Sequence, residues 1–258
     1  MNHILFEKKD HIGIITLNSP KQRNALSLEL MNELQKKLNI LKKDKDVKVI
    51  IIKGNGQAFC TGHNLKELVG KSYELSYFKK IFTVCSEMMQ TLHKMPQIVI
   101  AQVHGTAMAA GCQLVAACDL AISDTNAKFS TPGVKIGLFC STPMVPLSRL
   151  IGKRRALEML LTGRLVTAKE ALDFGLINKI AKPGDLSKTA EKWAKEIAKY
   201  SRHTLQLGKK AFYNQIDMDE KSAYDFAIEV ISKNCLDNDA QEGMRAFLEK
   251  RKPNWKNR

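Results

Sequence analysis

Two short runs, residues 4–6 and 13–17, flank the polar Lys9-Asp10-His11 and predict a β-hairpin. From Ser27 the period changes. Leu30, Met31, Leu34, Leu38 and Leu41 recur at helical spacing. Ser27 stands where an N-cap belongs, and Glu29 falls in the first turn, where the helix dipole favours negative charge. Residues 47–53 are mainly apolar and read as a strand buried on both faces. Residues 77–94 return to helical spacing and stop before Pro96. Residues 98–103 form a second buried strand, 109–118 a short helix of small residues, and 120–123 a further strand. Strands that alternate with helices predict an α/β fold with parallel pairing and crossover helices.

From about Arg149 the pattern is helical. Thr167 and Glu170 make a capping box ahead of Ala171 and Leu172, and Gly175 sits at the position after the helix end. Residues 186–200, 222–236 and 240–250 are further helical stretches. No linker, internal repeat or low-complexity segment breaks the chain.

Composition narrows the class. A chain of 258 residues with 44% hydrophobic content fits one large α/β domain, or one with a small appendage. No apolar run approaches the ~20 residues of a membrane-spanning helix. The start runs directly into the first strand without a signal core or an Arg/Ser-rich transit pattern, which gives a cytoplasmic expectation. Cys60, Cys85, Cys112, Cys118, Cys140 and Cys235 form no C-x-x-C pair. They are expected as reduced, buried thiols, with no metal site. The net charge of +15 fits an anionic partner. The basic pairs are scattered and no helix-turn-helix or aromatic-basic RNA motif occurs, so nucleic acid is not the expected partner.

The chemistry concentrates in two glycine turns, Phe59-Cys60-Thr61-Gly62-His63-Asn64-Leu65 and His104-Gly105-Thr106-Ala107-Met108-Ala109-Ala110-Gly111-Cys112-Gln113. Each follows a buried strand and leads into a helical pattern. A strand-turn-helix junction gathers free N–H groups, with the positive end of the helix dipole behind them. Two such junctions side by side can hold a developing oxyanion.

In this order and spacing the two segments resemble the crotonase family, the enoyl-CoA hydratase/isomerase superfamily. The resemblance extends through Ser19-Pro20-Lys21-Gln22-Arg23-Asn24-Ala25-Leu26, Cys118-Asp119-Leu120-Ala121, Leu161-Thr162-Gly163-Arg164, Ala168-Lys169-Glu170-Ala171, Gly175-Leu176-Ile177 and residues 242–251. Within the family, Ala109-Ala110-Gly111-Cys112-Gln113, Thr131-Pro132-Gly133-Val134 and residues 137–143 are most similar to the branch named for enoyl-CoA hydratase domain-containing protein 3. The resemblance implies a crotonase-type spiral of ββα units over residues 1–196. It also implies a C-terminal helical oligomerisation region over 197–258, which in relatives builds trimers or dimers of trimers. The implied ligand is an acyl-CoA thioester, with coenzyme A part of the substrate and no tightly bound cofactor.

The resemblance assigns the two oxyanion donors to the N–H groups of His63 and Ala110. It places coenzyme A near Lys21, Arg23, Ala25 and Leu26, along Asn64, Leu65 and Lys66, and beside Phe247 and Lys250 from a neighbouring subunit. Family hydratases carry glutamates at the positions of Gln113 and Gly133, and isomerases carry one near Ser141. A glutamine orients water but does not take its proton, and a glycine offers no group. Restoring both carboxylates is expected to create hydration if the pocket admits them. His63 has no visible orienting carboxylate, so its ring reads as facing solvent or packing beside the pantetheine channel. Asp119, between a helix and a strand, reads as a cap for backbone N–H groups. Two functional readings stand: thioester-enolate chemistry other than fast hydration, or an acyl-CoA-binding protein without turnover.

Overall fold

The computed structural model describes residues 2–70 and 73–257. The hairpin forms as its pattern predicts. β1 (Ile4–Lys9) and β2 (Ile12–Leu17) pair antiparallel from Ile4↔Leu17 to Lys9↔Ile12. The two-residue turn holds Asp10 at φ 48° and His11 at φ 66°. Two left-handed residues match the twist of the flanking strands. α1 (Leu28–Lys43) follows. Ser27 caps it by accepting from the Leu30 N–H at 3.1 Å, and the periodic leucines with Met31 are buried.

β3 (Val49–Gly54), α2 (Leu65–Val69), α3 (Leu75–Lys94), β4 (Ile98–Val103), β5 (Thr106–Met108), α4 (Ala110–Ala117), β6 (Leu120–Asp124) and β7 (Lys128–Ser130) come next. α5 (Ser141–Ile151), α6 (Lys153–Thr162), β8 (Val166–Thr167), α7 (Ala168–Phe174), β9 (Lys179–Ala181) and α8 (Leu186–Ala198) complete the core. The principal sheet has the order β1-β2-β3-β4-β6-β9, parallel from β2 onward. A three-stranded sheet, β5-β7-β8, stands beside it. Side chains alternate across the strands. Ile15, Leu17, Ile50, Ile52, Val99 and Ala101 join the larger core with α1, α3 and α4. Val49, Ile51, Ile100 and Ile122 face the other way, against Leu186, Ala190 and Ala194 of α8. The capping box forms at α7, and Gly175 closes that helix at φ 82°.

Several elements depart from the sequence pattern. β7, β8 and β9 span only two or three residues, too few to show a period. α5 starts at Ser141, ahead of the expected helical onset, despite Pro143 and Pro146. The missing N–H of Pro143 costs nothing in the first turn. α9 (Arg202–Gln215) lacks an apolar stripe because Lys209 is its one buried residue. α10 (Glu220–Asn234) has none, and α11 (Asn238–Leu248) buries Asp239 and Ala246.

The C-terminal helices are fastened by buried polar groups. Asp119 accepts from the Val99 N–H at 2.7 Å, as a cap should. It also accepts from Lys209 Nζ at 2.6 Å and the Tyr213 hydroxyl at 2.9 Å. Lys209 further donates to the carbonyls of Leu92 and Gln97. Burial lowers its pKa, and Asp119 opposes that shift. Asp239 accepts from Ser201 Oγ and from the N–H groups of Lys256 and Asn257. Trp255 lies over Gly243 and donates to the Lys199 carbonyl at 2.8 Å.

All six cysteines are free thiols. Five are buried, but Cys235 is exposed, contrary to the expectation of burial, because it follows the uncovered α10. Burial pushes the thiols of Cys60, Cys85 and Cys112 up to about 12. No helix among the described residues is long and apolar enough to cross a membrane.

Candidate functional site

The two glycine turns lie against one another. The chain at Cys60 runs parallel to Ala107: the Cys60 N–H donates to the Thr106 carbonyl at 3.2 Å, and the Met108 N–H to the Cys60 carbonyl at 2.9 Å. Gly62 has φ +96°, and a Cβ built on it would lie 2.9 Å from Ala109 Cβ and 3.5 Å from the Ala110 nitrogen. A Cβ on Gly111 would collide with the Cys60 carbonyl. Glycine is required at both positions by close approach of the other turn.

This packing sets the two N–H groups. Ala109 sits at φ 47°, ψ −116°, a strained conformation for alanine. Its own N–H donates to the Ser130 carbonyl at 2.9 Å. The following peptide carries the Ala110 N–H at the start of α4, where no side chain caps the helix. Among the described residues neither the His63 N–H nor the Ala110 N–H donates to any group of the chain. Neither donor is therefore used by the hydrogen bonds of the described residues.

A third segment braces the first turn. The Leu26 N–H donates to the Gly62 carbonyl at 2.7 Å, and the Leu26 carbonyl accepts from the Asn64 N–H at 3.2 Å. The Thr61 N–H donates to the Arg23 carbonyl at 3.2 Å. Asn24, fully buried, accepts from the Ser19 N–H and donates to the carbonyls of Asn55 and Ala58. Sequence reasoning quoted Asn24 in a motif without giving it this role. Arg23 and Asn24 both have positive φ, which makes the tight loop possible.

The structure sorts the other candidates. Lys21 and Arg23 are exposed on this loop, while Ala25 and Leu26 are buried. Leu26 spends its side chain in the core and both backbone groups on the His63 turn. It positions the turn and presents no polar group of its own. Asn64 caps α2 by accepting from the Lys66 N–H at 3.1 Å, and Leu65 and Lys66 are exposed. Phe247 and Lys250 lie exposed at the end of α11, Phe247 at 83%.

His63 does not face solvent. Its ring nitrogens are buried without a hydrogen-bond partner, and the ring meets Phe82 edge-on at 5.1 Å. Burial pulls its pKa down to about 4, and the Leu26 backbone opposes this slightly from outside hydrogen-bond geometry. The imidazole is thus neutral near pH 7. Gln113 is buried on α4, three residues after Ala110, with Oε1 unpaired. Ser141 is exposed, and its hydroxyl donates to the Phe139 carbonyl at 3.3 Å.

Gly133 carries the main correction. A Cβ there would fall 2.5 Å from the Leu138 carbonyl oxygen and 2.9 Å from Cys140 Sγ. Cys140 fills the space a larger residue would need. The condition attached to restoring a glutamate at this position, that the pocket admit it, is not met unless the Leu138 backbone shifts.

Comparison with known proteins identifies the family and the fold. The profile of the Enoyl-CoA hydratase/isomerase family matches residues 7–258. A relative from Rattus norvegicus named "Enoyl-CoA hydratase domain-containing protein 3, mitochondrial" is 44% identical over 248 residues, covering 96% of this chain and 82% of its own. The crystal structure of human enoyl coenzyme A hydratase domain-containing protein 3 superposes with a TM-score of 0.95 at 42% identity, covering 98% of this chain and 100% of that one. An enoyl-CoA hydratase structure from Mycobacterium smegmatis gives 0.96 at 40% identity, covering 98% of each. The chain belongs to the enoyl-CoA hydratase/isomerase family and has its crotonase fold. The cytoplasmic expectation is overturned. The rat relative and its mouse, frog, human and zebrafish counterparts are named mitochondrial. The pattern at an N-terminus reports a sorting signal and not the compartment.

Proposed function

We propose that this member of the enoyl-CoA hydratase/isomerase family binds an acyl-CoA thioester and stabilises its enolate between the N–H groups of His63 and Ala110. The observation that carries the reading is the pair of abutting turns whose two N–H groups bond to no other group among the described residues. An enolate places negative charge on the thioester oxygen. One preorganised donor in a dry site can lower such a barrier by ~3–4 kcal/mol.

The reaction is not fast hydration. His63 is neutral, Gln113 cannot take a proton, and position 133 has no side chain. Chemistry that needs the oxyanion hole more than a pair of glutamates fits best, with decarboxylation through an enolate and thioester cleavage through a tetrahedral oxyanion as examples. Coenzyme A itself is assigned to Lys21 and Arg23, the Asn64–Lys66 segment, and Phe247 and Lys250 of a neighbouring copy. An Arg or Lys against a phosphate is chemically apt. The assembly is proposed to be a homotrimer or a dimer of trimers.

Acetoacetyl-CoA tests the donor pair, because its enolate has a distinct ultraviolet band. The wild type should raise the enolate fraction. His63→Ala keeps the N–H and should keep most of the signal, whereas His63→Pro removes the donor and should cut it at least ~10-fold. Equal loss in both variants would refute the assignment. A strong enolate signal with no turnover of any acyl-CoA would establish the non-catalytic binding reading instead.

A further inference from the structure

A histidine just before β1, a serine on the loop after β2 and a glutamate in the first turn of α1 meet near the surface. His3 Nδ1 lies 3.0 Å from Ser19 Oγ, and His3 Nε2 lies 3.2 Å from Glu29 Oε2. These contacts fix the place of the ring proton. A carboxylate only accepts, so Nε2 carries the hydrogen that it donates to Glu29. Nδ1 then holds a lone pair, and the Ser19 hydroxyl donates to it. An imidazole held in that tautomer is a base for the hydroxyl, with a carboxylate behind it to orient the ring.

The backbone holds the group in place. The His3 N–H donates to Glu33 Oε2 at 2.9 Å, and the His3 carbonyl accepts from the Asn18 N–H at 2.7 Å. The Ser19 N–H donates to Asn24 Oδ1 at 2.9 Å, and the Ser19 carbonyl accepts from the N–H groups of Gln22 and Asn24 at 3.0 Å each. Ser19 precedes the helical turn Pro20–Gln22, a place where serine ordinarily spends its hydroxyl as a cap. Here it makes no cap bond, and the hydroxyl is left to His3. Among the described residues His11 and His203 also meet an aspartate, at 2.7 Å and 2.8 Å, yet neither ring has a hydroxyl on its other nitrogen. The His3 side chain is 27% exposed and that of Glu29 80%. A site this open encloses no acyl chain, so its substrate is small and must bring its own good leaving group.

We propose that Ser19 is an acyl-accepting nucleophile, with His3 as its base and Glu29 as the positioning carboxylate, acting on small activated acyl esters. Ser19 Oγ forms the bond to the acyl carbon as its proton passes to His3 Nδ1. The bond from that carbon to the leaving oxygen then breaks, and His3 returns the proton to the leaving group. Water repeats the two steps on the acyl-serine and releases the acid. The site uses none of the groups assigned to the thioester oxyanion, so the acetoacetyl-CoA result leaves it unaffected.

The probe is p-nitrophenyl acetate, followed by nitrophenolate release and by peptide mass mapping of the full chain. The wild type should carry an acetyl group on Ser19. Ser19→Ala should lose it. His3→Gln keeps a hydrogen-bonding partner for Ser19 but has no base, and should slow acetylation of Ser19 at least ~10-fold. Glu29→Gln should slow it by a smaller factor and leave the thermal midpoint unchanged, since an exposed ion pair adds little stability. A rate that follows the midpoint would mean that Glu29 serves only the fold. Acetyl groups found on lysines and never on Ser19, a result read from the wild type alone, would overturn the proposal. Wild-type acetylation of Ser19 in His3→Gln would overturn it too.

Discussion

Single residues decide what this site does not do. Gly133 leaves no room for a Cβ, because the Leu138 carbonyl and Cys140 Sγ already occupy the space. Wild-type hydration of crotonyl-CoA should be negligible. Gln113→Glu with Gly133→Glu should lower the thermal midpoint and create no hydratase. A wild-type turnover above ~10 s⁻¹ would place the catalytic groups elsewhere. His63 makes the second prediction. Its imidazole titrates near 6.5 unfolded and about 4 folded, because burial disfavours its charge. Between those values the unfolded chain binds more protons. The stability contributed by the neutral ring is therefore full above pH 6.5 and lost as pH falls towards 4. From pH 7 to pH 5 the loss should be about 2 kcal/mol. Burial shifts His93 in the same direction, so the test is a difference. His63→Phe should flatten the pH dependence of urea unfolding by that amount and leave the remainder. An unchanged slope would mean that the ring is solvated.

At the scale of elements, the C-terminal helices depend on a few buried contacts. Lys209→Met leaves the Asp119 carboxylate buried without its cation, a loss of ~3–5 kcal/mol. Hydrogen exchange should accelerate in α9 and α10 and stay slow in α1 and α4. Uniform acceleration would mean that the helices unfold only with the core. The elements also show what the sequence could convey. α1, α7 and the hairpin were legible because cap, period and turn residues act within a few positions. The paired glycine turns were legible as junctions between strands and helices because those flanking elements are local. α9 was not, since its one buried residue is a lysine whose partner Asp119 lies 90 residues away. The brace of Asn24 and the closure at Gly133 were hidden for the same reason. Each depends on which distant backbone atom arrives beside it.

The whole molecule carries an apolar surface that one copy does not cover. Tyr224, Ile228 and Ile231 on α10 are more than half exposed, as are Phe212, Leu236 and Phe247 around it. Surfaces of this kind usually mark interfaces, and closed rotational symmetry is the usual way to cover them. Light scattering should give a trimer or a hexamer. Dilution to monomers should weaken coenzyme A binding in step if Lys250 reaches a neighbour's nucleotide. A stable monomer with undiminished affinity would refute the shared site. The charge of +15 should quicken capture of a polyanionic ligand at low salt and lose that effect as salt rises.

The interlock of the two turns also limits how this sequence can drift. Gly62 is held by Ala109 and Ala110, and Gly111 by Cys60, across nearly fifty positions of chain. A bulkier residue in one turn should disturb the other, because each is the wall of the other's space. Most surface lysines can be exchanged one at a time. A side chain at position 62 or 111 would require the opposite turn to move, so positions 60, 62, 109 and 111 act as one mechanical unit.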